Sequence, residues 1–225
     1  MAEHTPASGA AGVGAPPDLS VLKLFPTPVL IATMPDAEAL NAELRSIILA
    51  REQVSESVER SNRGGWQSSW DLHQWGGAPI QKVLAFARAI VDDATVDRTG
   101  KQDKLAWRIN CWANVNRTGH GNQFHTHPGA LWSAGYYVDD GGISEDPALG
   151  GEFEIADPRG VAPVMYAPRL TFPGPDGLSL GESQRLTPHS GAMIVFPSWL
   201  QHGVCPYRGA RERISIAINF SIAGV

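Results

Sequence analysis

Arg213-Ile214-Ser215-Ile216-Ala217-Ile218-Asn219-Phe220 is the stretch whose reading decides the fold. Branched or aromatic apolar residues take every second place, with Arg, Ser, Ala and Asn between them. Strand side chains alternate faces, so this run reads as a strand with one apolar and one polar face. Arg213, Ser215 and Ala217 share the polar face. Upstream, from Leu105 onward, short candidate strands separated by Gly, Pro and Asp recur at 105–116, 123–127, 131–139, 151–156, 161–166, 185–189, 192–196 and 202–205, with 212–221 as the last. That many short strands suits two facing antiparallel sheets, a jelly roll or double-stranded β-helix of cupin-like form.

The N-terminal part reads differently. Met1 to about Ser20 is rich in Ala, Gly and Pro and is expected to be a disordered tail. Val21 to Met34 reads as an extended edge segment because Pro26 and Pro28 interrupt it. Asp36 is expected to cap a helix running to about Arg60, with Ala39, Leu40, Leu44, Ile47 and Ile48 at helical spacing. A second helix is expected over Pro79–Ala94, with Ile80, Val83, Leu84, Ala87, Ile90 and Val91 on one stripe. The expected organisation is therefore mainly β with flanking helices: a tail at 1–20, then a single domain at 21–225, with helical support at 21–104 and the jelly-roll core at 105–225. The Pro- and Gly-rich segment 167–184 reads as a loop, either a lid or a loose surface excursion.

Two motifs carry the chemistry. In a strand, His125-Thr126-His127 aims two imidazoles at one point, and Pro197-Ser198-Trp199-Leu200-Gln201-His202 offers a third that a folded sheet can bring to them. Three nitrogen donors with open positions suit iron, zinc, copper or nickel in a catalytic site. Arg213 follows His202 by one strand, and a guanidinium beside the Ser215 hydroxyl is suited to gripping a carboxylate.

The ordered set of His-x-His, Gly135-Tyr136-Tyr137-Val138, Gly150-Gly151-Glu152-Phe153, Pro-x-x-x-x-His and Arg-x-Ser resembles the Fe(II)- and 2-oxoglutarate-dependent dioxygenases. It is closest to a bacterial and phage group of 2-oxoglutarate oxygenases and more distantly similar to the prolyl hydroxylases. The motifs span about residues 105–221, and Leu24-Phe25-Pro26-Thr27-Pro28 and Trp66-Gln67-Ser68 also resemble the group. The resemblance implies Fe(II) as metal, 2-oxoglutarate as cosubstrate, and O2-driven oxidation of a small-molecule or peptide substrate. It implies His125 and His202 as iron ligands and Arg213, helped by Ser215, as the anchor of the distal carboxylate. Tyr137 matches a tyrosine contacting that carboxylate, with Tyr136 a near-equal choice.

This chain departs from the family at His127, where a carboxylate is usual in a 2-His-1-carboxylate centre. The reading adopted is a three-His metal site of His125, His127 and His202, with Glu152 or Glu154 as the alternative third ligand. Asn114, on the strand leading to the metal motif, faces either the oxoacid or solvent, and Trp112 on its face is a candidate pocket wall. A three-His cupin-like oxygenase or lyase without 2-oxoglutarate, and a non-enzymatic jelly-roll binding protein, remain alternatives.

Composition bounds the rest. At 225 residues and 43% apolar content the chain suits one medium globular domain. A net charge of −5 argues against a tracker of nucleic-acid phosphates. No run approaches the length of a membrane span and no secretory signal is evident, so a cytoplasmic protein is expected. Cys111 and Cys205 have no zinc or disulfide spacing and read as reduced thiols. His73, His120 and His189 read as packing, loop and turn residues. Asp157-Pro158-Arg159 reads as a turn with a local ion pair. Neither the oligomeric state nor the substrate is legible.

Overall fold

A computed structural model describes residues 25–101, 105–160 and 183–222. The expected tail at 1–20, the expected strand at 161–166 and residues 167–182 of the expected loop at 167–184 lie outside them. The elements run β1 (Leu30–Thr33), α1 (Ala37–Glu52), β2 (Asn62–Arg63), β3 (Trp66–Gln67), α2 (Leu72–Trp75), α3 (Gly77–Asp93), β4 (Trp107–Asn116), β5 (Gly121–His125) and β6 (Trp132–Asp139). After a short 3-10 turn at Pro147–Leu149 come β7 (Phe153–Ile155), β8 (Gln184–Leu186), β9 (Ala192–Pro197), β10 (His202–Val204) and β11 (Arg213–Ile222). Among the described residues the strands form a larger sheet, β1-β9-β6-β11-β4-β3, and a smaller one, β2-β5-β10-β7-β8, with antiparallel pairing throughout. This is the expected double-stranded β-helix, mainly β with a few helices.

The alternation in β11 sets the layering. Ile214, Ile216, Ile218 and Phe220 are fully buried in a core shared with Leu44 and Ile48 of α1 and with Ile80, Val83 and Leu84 of α3. Both helices thus cover one face of the larger sheet. The opposite face of β11 looks across to the smaller sheet, and between the sheets Phe153 and Ile155 of β7 meet Ile194 and Phe196 of β9 and Leu200 in a second, smaller core. Branched residues on the helix side and Arg, Ser and Ala on the other explain why only one face could take the helices.

Three expectations are corrected here. Helix α1 stops at Glu52 rather than Arg60. The apolar stripe ends there, and the following segment is drawn onto the sheet by Trp66 Nε1 donating to the Ser55 carbonyl and Val58 N–H donating to the Gln67 carbonyl. Asp36 precedes α1 but does not cap it: its backbone is left-handed, with φ 48°, and its side chain accepts no capping hydrogen bond. Strand β8 begins at Gln184, inside the expected loop, because it pairs with β7.

The two-residue strands β2 and β3 carry no periodicity of their own. Gly64 and Gly65, with φ of 62° and 73°, let the chain cross from the smaller sheet to the larger between them. His120 packs so closely on this crossing that a Cβ on Gly64 would lie 2.6 Å from its Cδ2. Among the described residues no helix is long and apolar enough to cross a membrane.

Candidate metal centre and anion pocket

The smaller sheet presents the histidines. His125 ends β5 and His202 begins β10, and the two are direct cross-strand partners. Strand β5 does not continue through His127, contrary to the strand reading of the whole His-x-His motif. His127 lies just beyond the strand end, where its N–H donates to the Ser198 carbonyl, and its ring still turns to the same point. One ligand nitrogen from each of His125, His127 and His202 lies within 4.8 Å of the others. The Nε2 atoms of His127 and His202 are 3.2 Å apart. Two nitrogens about 2.1 Å from one ion and at right angles would stand about 3 Å apart, so this spacing suits adjacent coordination positions.

Burial sets the electrostatics. His202 is 4% exposed and packs against the rings of Phe196 and Phe153, at 4.5 and 5.4 Å. Desolvation, then the neighbouring imidazoles, hold its pKa down at about 3. Desolvation and then His125 hold His127 at about 4, and desolvation also lowers His125. All three rings therefore stay neutral near pH 7, with lone pairs available to a cation. The Nδ1 atoms of His125 and His202 each lie 2.8 Å from a main-chain carbonyl, those of Gln123 and Leu200. Since a carbonyl only accepts, both rings carry their proton on Nδ1 and keep Nε2 for a metal.

No carboxylate joins this group among the described residues. Glu154 is instead held by Ser183, by Arg185 at 3.3 Å and by Cys205 at 3.5 Å. The donor set is three neutral imidazoles, a combination that fits a first-row divalent ion such as Fe(II).

The larger sheet presents a buried guanidinium. Arg213, at the start of β11, is 1% exposed, and its Nε and Nη2 have no hydrogen-bond partner. Its guanidinium lies 5.2 Å from the Tyr137 ring centroid. Desolvation pulls the Arg213 pKa down and the nearby Tyr137 hydroxyl opposes it. A guanidinium does not lose its proton in a protein, so this is a buried cation with unused donors. Arg213, Ser215, Tyr137 and Asn114 line one inner cavity together with the three histidines. Tyr136 does not join them: it points into the helix-backed core, where its hydroxyl donates to Asn41 Oδ1 at 2.6 Å.

Beyond the histidines the cavity continues into an open groove of about 720 Å³, walled by Trp70, Trp112, Phe124, Pro128, Asn110 and Gln123. Trp112, Gln67, Ser61, His125 and His127 line both spaces, so the candidate metal centre sits at their junction.

Sequence reading missed Asn219, Gln67, Phe153 and Phe196 as parts of this site. Asn219 shares the Arg213 face of β11 by parity, so the same alternation could have found it. Gln67 lies on a two-residue strand and gave no such signal. His73, His120 and His189 stay outside: His120 Nδ1 accepts from the Arg117 N–H at 3.0 Å, and His189 contacts Thr33 and the Ser190 carbonyl. Asp157 and Arg159 form the expected local ion pair at 2.7 Å.

Comparison with known proteins shows what the chain is similar to. The family described as "Putative 2OG-Fe(II) oxygenase" matches residues 110–219, which contain all three histidines and Arg213. Over these residues the chain is similar to the 2OG-Fe(II) oxygenases. No curated protein matches the chain. Several solved structures share the fold. A prolyl-4-hydroxylase from Pseudomonas putida is 20% identical, with TM-score 0.57 over 87% of this chain and 93% of its own. A prolyl hydroxylase from Trichoplax adhaerens, in complex with a peptide fragment of the hypoxia inducible factor oxygen degradation domain, is 14% identical, with TM-score 0.59 over 86% and 83%. HygX from Streptomyces hygroscopicus, with nickel and 2-oxoglutarate bound, is 11% identical, with TM-score 0.54 over 88% and 84%.

Proposed function

We propose that this chain is an Fe(II)- and 2-oxoglutarate-dependent dioxygenase whose iron is held by His125, His127 and His202 and whose 2-oxoglutarate is anchored by Arg213. The observation that carries the reading is Arg213: a buried cation with two unbonded nitrogens, opening into the same cavity as the three imidazoles. An unpartnered buried donor costs about 1–3 kcal/mol, more for a charged group, and an anionic ligand removes that cost on binding.

With iron bound, 2-oxoglutarate and O2 supply the oxidation of a C–H bond to C–OH, the oxoacid leaving as succinate and CO2. The residues of this chain bind and orient. Arg213 forms a bidentate pair with the distal carboxylate, and the Ser215 and Tyr137 hydroxyls and the Asn114 amide fix its rotation. Trp112, Phe153 and Phe196 keep the centre dry, so that charge interactions inside it are not screened by water. The outer groove takes the substrate, a small molecule or peptide, whose reacting carbon reaches the centre past His127. Its volume falls in the range of organic-ligand sites.

Supplied aerobically with Fe(II) and 2-oxoglutarate, the protein is expected to consume O2 and form succinate slowly even without its substrate, each depending on both additions. His202→Ala is expected to retain no iron and to give neither signal. Full turnover by His202→Ala, or none by the iron-loaded parent, would overturn the proposal.

A further inference from the structure

Two of the three imidazoles have their tautomer fixed by main-chain carbonyls, but His127 does not. Its Nδ1 faces Asn219 Nδ2 at 3.4 Å, long for a hydrogen bond, and its Nε2 faces His202 Nε2 at 3.2 Å. Asn219 Oδ1 in turn accepts from Ser133 Oγ at 2.8 Å. Because His202 donates from Nδ1 to the Leu200 carbonyl, its Nε2 is a bare acceptor. The two Nε2 atoms attract only if His127 carries its proton on Nε2, which leaves His127 Nδ1 to accept from the Asn219 amide. The donors then all run one way: Ser133 to Asn219, Asn219 to His127, His127 to His202, and His202 to the Leu200 carbonyl.

We propose that Asn219 is a positioning residue, an amide switch that sets the tautomer of His127 and turns over when the centre takes up a divalent metal. This rests on the metal reading above. To ligate through Nε2, His127 must move its proton from Nε2 to Nδ1. The ring is neutral before and after, and no proton is gained or lost. The new Nδ1–H needs an acceptor, which Asn219 supplies by turning its amide so that Oδ1 faces His127 and Nδ2 faces Ser133 Oγ. A hydroxyl can donate or accept, so Ser133 serves both orientations. A carboxylate at this position could only accept. An amide therefore matches a ligand position that holds an imidazole, whose tautomers the metal must exchange.

The test reads the histidine ring nitrogens by 15N NMR in metal-free protein and after addition of Zn(II), with His127 assigned through His127→Gln. The parent is expected to show His127 protonated on Nε2 without metal and on Nδ1 with Zn(II), while His125 and His202 keep Nδ1–H in both. In Asn219→Asp, whose carboxylate only accepts, His127 should carry Nδ1–H even without metal, and Zn(II) affinity should match or exceed the parent's. In Asn219→Leu, Zn(II) affinity should fall roughly 10–100-fold, the usual effect of removing a group that orients a ligand. Nδ1–H on His127 in the metal-free parent, or parental Zn(II) affinity in Asn219→Leu, overturns the switch. Absence of any histidine shift with Zn(II) or Co(II) in the parent refutes the metal site itself, a separate failure.

Discussion

Arg213 buries a full positive charge, and the surrounding protein leaves two of its nitrogens unbonded. Such a residue is a burden on the empty fold and an asset only to a ligand. Arg213→Met is therefore expected to fold at least as stably as the parent, because an apolar chain of similar length replaces an unpaired charge. Its KM for 2-oxoglutarate should rise about 10–100-fold, the loss of roughly 1.5–3 kcal/mol from a charged hydrogen bond. Thermal denaturation and steady-state kinetics on the same preparation separate the two effects. A destabilised variant with an unchanged KM would show Arg213 to be a structural ion instead.

At the scale of elements, β11 does two jobs with its two faces. Ile218 sits between Cys111 of β4 and Ala134 of β6 in register and is fully buried under the helices. Ile218→Ala is expected to cost about 2–5 kcal/mol, seen as a lowered denaturation midpoint, while metal affinity in the folded protein stays close to the parent's. Equal losses of both would mean that the helix-side core and the cavity are not separable.

This division was legible in the sequence because strict alternation over eight residues has one structural meaning. Helix α3 was legible for the same reason, its apolar stripe matching one helical face. The end of α1 was not, since Trp66 and Gln67, far along the chain, pull residues 55–58 away from the helical path. The site was legible as far as local pattern reached: Arg213 and Ser215 by parity, and His125 and His202 by motif and resemblance. The place of His127 depends on Ser198 holding its backbone beyond the strand end, a contact between segments that no local pattern encodes. Gln67 and the two phenylalanines enter the site through sheet pairing and packing in the same way.

Across the whole molecule, two sheets of different chemistry are clamped face to face. The smaller one carries His125 and His202, with His127 just beyond its β5, and the larger one carries the buried Arg213 guanidinium. Holding three imidazoles neutral inside the clamp makes stability depend on pH. The folded pKa values of His127 and His202, about 4 and about 3, lie below the ordinary 6.5. As pH falls below about 6.5, the unfolded chain takes up protons that the folded chain refuses. The stability of metal-free protein should thus be fully present above that value and decline between about pH 6.5 and about pH 3. Urea midpoints measured across this window check the sign. A shallower decline in His127→Gln would assign part of it to this ring, and an unchanged midpoint throughout would contradict the burial argument.

The most direct test of the account is anaerobic titration of the Fe(II)-loaded protein with 2-oxoglutarate, followed by visible absorption. The account predicts a weak charge-transfer band that saturates at one equivalent of oxoacid, needs far more oxoacid in Arg213→Met, and is absent from His202→Ala. A protein that holds Fe(II) through its three histidines yet develops no band at saturating 2-oxoglutarate would contradict it.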